Sequence, residues 1–201
     1  MTDEGEQRKQ ASDNFALVRA NAINAYASLE MHLGMLFETL LGSDPQKAYV
    51  VFASVINSQA RLRMISRLLQ LSFGDRYITF FDSLSEKLSG LDSTRNKVAH
   101  WIVLNSYTGG KKFKPKKDVA LHGHPNLFSG EVLYRHDLID FHNRTEFYGN
   151  IVFMFAQFIR APDLIDSSRN PTKRKWSDVF GEKIAYPPSE DHPLPPLKKA
   201  K

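Results

Sequence analysis

From Phe15 to Leu40 the apolar residues Phe15, Val18, Ala22, Ala25, Leu29, Leu33, Leu36 and Leu40 recur in steps of three and four, with no proline or mid-run break. That spacing places them on one face of a helix with 3.6 residues per turn and commits the chain to a long amphipathic helix that needs partners for its apolar face. Ser12 or Asp13 can cap its start, and Gly42, Ser43, Asp44 and Pro45 stop it. A second series, Ala48, Val51, Val55, Leu62, Ile65 and Leu69, keeps the helical period as far as Phe73 and Gly74, with Asn57, Ser58 and Gln59 interrupting the stripe as a bend or a buried polar contact. A third segment, Tyr77, Phe80, Phe81, Leu84 and Leu88, closes at Ser89 and Gly90, after which Asp92 or Ser93 caps a short helix from Arg95 to His100. Helical spacing returns with Leu138, Phe141, Thr145, Tyr148, Val152, Phe155 and Ile159 and ends before Pro162. The expected fold is therefore all-α, a bundle of about five helices.

The segment 105–136 breaks the pattern with Gly109 and Gly110, a lysine cluster around Pro115, and His122, Gly123, His124, Pro125 and Asn126. Its flanks, Ile102 to Leu104 and Val132 to Tyr134, read as extended runs around a turn-rich middle, which predicts a β-hairpin insertion projecting from the bundle. Past residue 160, prolines at 171, 187, 188, 193, 195 and 196 argue against further packing except near Trp176, Val179 and Phe180, so residues 161–201 read as a proline-rich basic extension whose last dozen residues are disordered. A length of 201 residues suits one domain, here 12–160, with these appendages.

The net charge of +5 is uneven along the chain. Residues 1–104 carry 11 basic and 11 acidic side chains, residues 105–136 carry 6 and 2, residues 137–159 carry 1 and 3, and residues 160–201 carry 9 and 6. The positive excess lies outside the main helices. Lys111, Lys112, Lys114, Lys116 and Lys117 in the insertion, and Lys173, Arg174 and Lys175 before Trp176, are the candidate RNA contacts, the last group pairing charge with an aromatic ring suited to a single strand. A solvated lysine loop, and an exposed turn with Trp176 folded back on the body, have the same composition. The absence of cysteine excludes disulfides and thiolate metal sites. The polar, acidic start and the lack of an apolar stretch of spanning length predict a cytoplasmic protein with no membrane contact. His122, His124 and His136 lack a carboxylate or thiolate to complete a ligand set, so no metal site and no cofactor are expected.

One short run carries chemistry: Arg95, Asn96, Lys97, Val98, Ala99, His100. Asn96 and His100, four apart, share a helix face, while Arg95 lies about 140° from His100 at roughly 100° per residue. Arginine's long stem and planar fork still allow the three to converge on one phosphodiester. Histidine can take or give a proton near neutrality, and asparagine can hold the imidazole or a ribose. Two ordinary uses compete: His100 can cap the helix C-terminus, and Arg95 can pair with Asp92 on the surface.

The run resembles the signature of the HEPN superfamily, an Arg followed after four to six residues by His, here with Asn directly after Arg and Ala, His and an aromatic residue at its end. The long helices before and after it fit the same family, including a segment at Ala22 to Leu41 that resembles its first helix and holds Glu30; the resemblance spans residues 12–160. It implies a homodimer in which the motif helices face one another, each subunit supplying half of one cleft. It also implies a metal-independent endoribonuclease, a toxin or defence effector, cutting RNA by 2′-hydroxyl attack, with His100 moving protons, Arg95 stabilising phosphate charge, Asn96 positioning, and Glu30 in support beside His32 at the seam. An antitoxin or defence-system partner belongs to that reading. Ile102 stands where members paired with a nucleotidyltransferase antitoxin carry tyrosine, so that modification system is not expected, and the insertion and tail exceed a minimal family domain. The alternative function is a non-catalytic module binding RNA, nucleotide or a partner through the same fold, or a purely structural helical dimer in a larger assembly.

Overall fold

The computed structural model describes residues 3–108, 114–123, 131–168 and 170–195. Helix α1 spans Asp3–Leu41. It starts well before Ser12 and Asp13, which are interior rather than caps: residues 6 to 14 contain no proline or glycine, and extending an established helix costs little per residue. It ends where expected, at Gly42, whose φ of 61° is the left-handed conformation that glycine adopts without strain and whose N–H bonds Glu38 O at 3.1 Å.

The second apolar series is two helices, not one. Helix α2 (Pro45–Ser54) is capped by the Asp44 carboxylate, which accepts from the N–H groups of Gln46 and Lys47, with Pro45 in the first turn. Helix α3 (Ser58–Phe73) begins after Asn57, whose side chain accepts from Ala60 N at 2.9 Å. The polar interruption is thus an N-cap. The third and fourth expected helices merge instead into one, α4 (Ile78–His100), running through Gly90 without a break. A mid-helix glycine costs about 1 kcal/mol relative to alanine, which the buried side chains of Leu84, Leu88, Leu91 and Val98 along the same helix outweigh.

The insertion forms a three-stranded antiparallel sheet, β1 (Ile102–Thr108), β2 (Lys114–His122) and β3 (Val132–Tyr134), in the order β1-β2-β3. The two flanking runs do not pair with each other as a hairpin would; both pair with β2, in registers such as Leu104 with Ala120 and Leu121 with Leu133. The central strand comes from the lysine-rich middle because Ala120 and Leu121 are apolar and become fully buried.

Helix α5 (Arg135–Arg160) starts where the Asp137 carboxylate accepts from Tyr134 N at 2.8 Å, and lies alongside α1 in the same direction, from His142 beside Asn21 to Arg160 paired with Glu38 at 3.1 Å. Helix α4 runs the other way against α1, with Asp92 at Tyr26 and Val98 at Arg19. The short helices α6 (Pro162–Ser167) and α7 (Trp176–Val179) close the bundle. The packing expected near Trp176, Val179 and Phe180 is present, and it reaches further along the extension than expected. Phe180 is fully buried, its ring within 4.8–5.3 Å of Phe80, Phe155, Phe158 and Trp176, and the packing continues past α7 through Ile184 to His192, 7% exposed. Of the last dozen residues, 190–195 therefore lie against the body, and the expectation of disorder for 196–201 falls outside the described residues. Among the described residues the fold is an all-α bundle carrying one small sheet, and no helix is long and apolar enough to cross a membrane.

Candidate functional site

The motif occupies the last turns of α4, where α1, α3 and the start of the sheet meet it. Asn96 and His100 are exposed and share the outward face, as the spacing requires, whereas Arg95 is half-buried on the side facing α1. Its guanidinium lies 5.3 Å from the centre of the Tyr26 ring, and its Nη1 donates to Asn96 Oδ1 at 2.9 Å. The long side chain thus crosses from the α1 side toward the face that bears Asn96.

Beneath Arg95 is a polar cluster that the sequence did not expose. The Tyr26 hydroxyl donates to Asp92 Oδ1 at 2.8 Å and the Ser58 hydroxyl to Asp92 Oδ2 at 2.6 Å, joining α1, α3 and α4. Asp92 is therefore neither a helix cap nor the surface partner of Arg95. Burial first, and then the hydrogen bond to Asp92, push the Tyr26 phenol well above its ordinary range, so it stays protonated and donating. The neutral donor leaves the ring face free for the arginine cation.

The end of the helix decides between uses of His100. Arg19, one turn before Ala22 on α1, donates from Nε to Val98 O at 2.8 Å and from Nη2 to Ala99 O at 2.9 Å and Trp101 O at 3.2 Å. These carbonyls would otherwise be left open by the helix end, and the cation sits where the helix dipole is negative. Capping is done by Arg19, and the imidazole of His100 stands exposed beside Asn96. Lys97, between them, bonds both carboxylate oxygens of Glu131 at 2.6 and 2.7 Å and lies 5.5 Å from the Trp101 ring centre, tying the motif helix to the approach to β3.

Glu30 is one turn beyond Tyr26 and is engaged by Arg61 at 3.1 Å; Arg61 in turn donates to Val55 O at 2.5 Å and covers the Phe52 ring. It braces α1 against α3 beside the motif cluster and does not contact Arg95 or His100. His32, on the other side of α1, bonds Gly149 O at 2.8 Å, and burial lowers its pKa, so it is a satisfied neutral group in the α1–α5 interface.

The remaining candidates do not assemble around the motif. Lys111 and Lys112 lie outside the described residues, as do the side chains of Lys114, Lys116 and Lys117, whose backbone forms β2. Lys173 donates from Nζ to Glu190 O, and Arg174 pairs with Glu182 at 2.9 Å, while Lys175 is exposed. Trp176 is only 5% exposed and stacked on Phe180, so it is a core residue and not a platform for a base. His122 is on β2 and His136 is exposed at the start of α5, its Nε2 3.4 Å from the Asp137 carboxylate; His124 is outside the described residues. Among the described residues no three metal-ligating side chains come together.

No family model, characterised protein or solved structure matches this chain. What it can do is set by the chemistry of its own residues: one exposed imidazole, one guanidinium held between an aromatic ring and a carboxamide, and that carboxamide on the imidazole's face.

Sequence reasoning missed Arg19 and Tyr26, and singled out Ser58 only within the interruption read as a bend or a buried polar contact. Tyr26 lies within the apolar stripe of α1 and reads as core, which it is by burial, at 7% exposed. Arg19 lies at the stripe's edge, where a charged residue signals nothing until its partner, 79 residues away, is known.

Proposed function

We propose that this chain is a HEPN-type endoribonuclease, a toxin or defence effector that cuts RNA without a metal ion and acts as a homodimer. The observation that carries the reading is the capping of α4 by Arg19, which leaves His100 exposed next to the Arg95–Asn96 pair with no hydrogen bond of its own among the described residues. In this mechanism the imidazole of His100 accepts the proton of a ribose 2′-hydroxyl, and the 2′-oxygen forms a bond to phosphorus as the bond to the 5′-oxygen breaks. The leaving 5′-oxygen takes a proton from the second subunit's copy of the same imidazole, which enters the reaction protonated, and the products are a 2′,3′-cyclic phosphate and a 5′-hydroxyl end. The Arg95 fork binds the charge that develops on the phosphate oxygens, and Asn96 orients either the guanidinium or the substrate.

A dimer at this face is supported by apolar side chains left in water around the motif. Ile23 and Met31 on α1, 41% and 58% exposed, flank the turn that holds Tyr26 and Glu30, and Ile56, 94% exposed, precedes the α3 cap two residues from Ser58. Covering them removes apolar surface from water where the two motif helices would meet.

The test is incubation of purified protein with total RNA in excess chelator. Wild type should generate fragments with cyclic phosphate ends, and His100→Ala and Arg95→Ala should each lower the rate at least a hundredfold. Wild type that leaves RNA intact, or variants that cut as fast, would refute the catalytic reading, and a monomer in sedimentation at micromolar concentration would refute the composite cleft.

A further inference from the structure

Between α4 and α5, on the side of the motif helix away from α1, lies a cavity of ≈ 430 Å³, in the size range of sites that hold small organic ligands. Its wall includes Gly90, Leu91 and Thr94 of α4 and Phe141, Arg144 and Tyr148 of α5, with Leu133 of β3 at one edge. Thr94 is the residue immediately before Arg95. The cavity therefore opens on the motif helix beside Thr94, about 100° around the helix from Arg95.

Gly90 is the telling residue. Glycine is a poor choice in a helix interior, and elsewhere in this fold a close approach explains one: a side chain at Gly123 would meet the Trp101 ring at 2.6 Å. A side chain at Gly90 would meet nothing within 4 Å among the described residues, and its φ is not positive. No packing or backbone demand of the folded chain requires glycine there. What glycine does is keep a methyl or larger group out of the cavity and leave the helix backbone approachable.

The lining indicates what enters. Leu91, Phe141 and Leu133 offer apolar contact to a flat ring, and the hydroxyls of Thr94 and Tyr148 offer hydrogen bonds at its edge. Tyr148 remains a phenol, since burial pushes its pKa up to about 12. Among charged groups, Arg144 and Asp140 neutralise each other at 2.6 Å and Lys87 lies 3.8 Å from Glu86, which leaves Asp137 as the one carboxylate without a lysine or arginine partner and favours a neutral ligand with amino donors over a phosphate. We propose that this cavity binds a nucleobase, taking a base of the RNA strand on which the proposed site acts. The proposal deepens the ribonuclease reading and rests on it for the occupant, but binding at the cavity is measurable without cleavage.

The experiment titrates the full chain with adenosine, cytidine, guanosine and uridine by calorimetry, with inorganic phosphate as the control, for wild type, Gly90→Ala and Gly90→Leu. At least one nucleoside should bind wild type in the micromolar to millimolar range, more tightly than phosphate. Gly90→Leu should weaken that nucleoside at least tenfold, and Gly90→Ala should weaken it less while raising the thermal midpoint by about 2–4 °C, as glycine-to-alanine does in a helix without a clash. Binding and stability then move in opposite directions, which a merely structural glycine does not produce. Absence of saturable nucleoside binding, binding unchanged in Gly90→Leu, or phosphate binding more tightly than every nucleoside would each overturn the proposal. RNA cleavage without nucleoside binding would refute the base pocket alone, and nucleoside binding sensitive to Gly90 without cleavage would refute the catalytic reading alone.

Discussion

Replacing Arg19 by methionine keeps an unbranched side chain of similar reach and removes the three donors to Val98 O, Ala99 O and Trp101 O. A net hydrogen bond contributes about 0.5–1.5 kcal/mol, and a cation at a helix C-terminus adds about 0.3–1 kcal/mol. Water can reach part of this half-buried site and replace some of the lost bonds, so the lower half of the range applies and Arg19→Met should cost about 2–3 kcal/mol. For a chain of this size that corresponds to roughly 4–10 °C in melting temperature. Urea unfolding followed by far-UV circular dichroism measures it directly, with hydrogen exchange showing the loss of protection concentrated in the last turn of α4. Arg19→Lys, which retains the charge but not the fork, should recover less than half of the loss. The companion variant His100→Ala should change stability by less than about 0.5 kcal/mol, because His100 does not cap the helix. If Arg19→Met is neutral, or if His100→Ala costs as much as Arg19→Met, then His100 is the capping residue and the argument that it is free for chemistry fails.

Acid should destabilise the fold through His192. Its Nδ1 accepts from Leu194 N at 3.1 Å, its Nε2 is buried without a partner among the described residues, and its pKa is pushed down to about 4 by burial and by the nearby Arg174. The unfolded chain binds this proton near pH 6.5 and the folded chain only near pH 4, so stability falls as pH drops through that window, by about 3 kcal/mol in full. Urea unfolding at pH 7.5 and 4.5 should show a pH dependence about 2–3 kcal/mol smaller in His192→Phe than in wild type, and equal dependence in the two would refute the assignment. Phe180→Ala removes a ring that is fully buried among four aromatic rings and should destabilise the whole domain by about 3–5 kcal/mol in a single unfolding transition. A variant whose bundle unfolds as in wild type would show that the segment after α6 is an appendage and not part of the core.

What was legible in the amino-acid sequence is what depends on neighbours a few residues away. The apolar stripe from Phe15 to Leu40 specified α1, the series from Leu138 to Ile159 specified α5, and the four-residue step from Asn96 to His100 put both on one face, because helical periodicity is a local property of the chain. The tertiary structure decided everything that depends on which element lands beside which. Gly90 looked like a stop, yet the neighbouring leucines bury enough surface to carry α4 through it, and Trp176 read equally as a base platform or as folded back on the body until Phe180 and the core took it. The lysine-rich middle of the insertion became the central strand because Ala120 and Leu121 are buried against the bundle, and both flanking runs pair with that strand. Above all, the partners that determine the state of the motif come from 66 and 79 residues away, Tyr26 holding Asp92 under Arg95 and Arg19 closing the helix behind His100. A hydrogen bond across that distance leaves no periodic trace in the sequence, so only the fold could reveal that the exposed histidine is relieved of the capping role its position suggested.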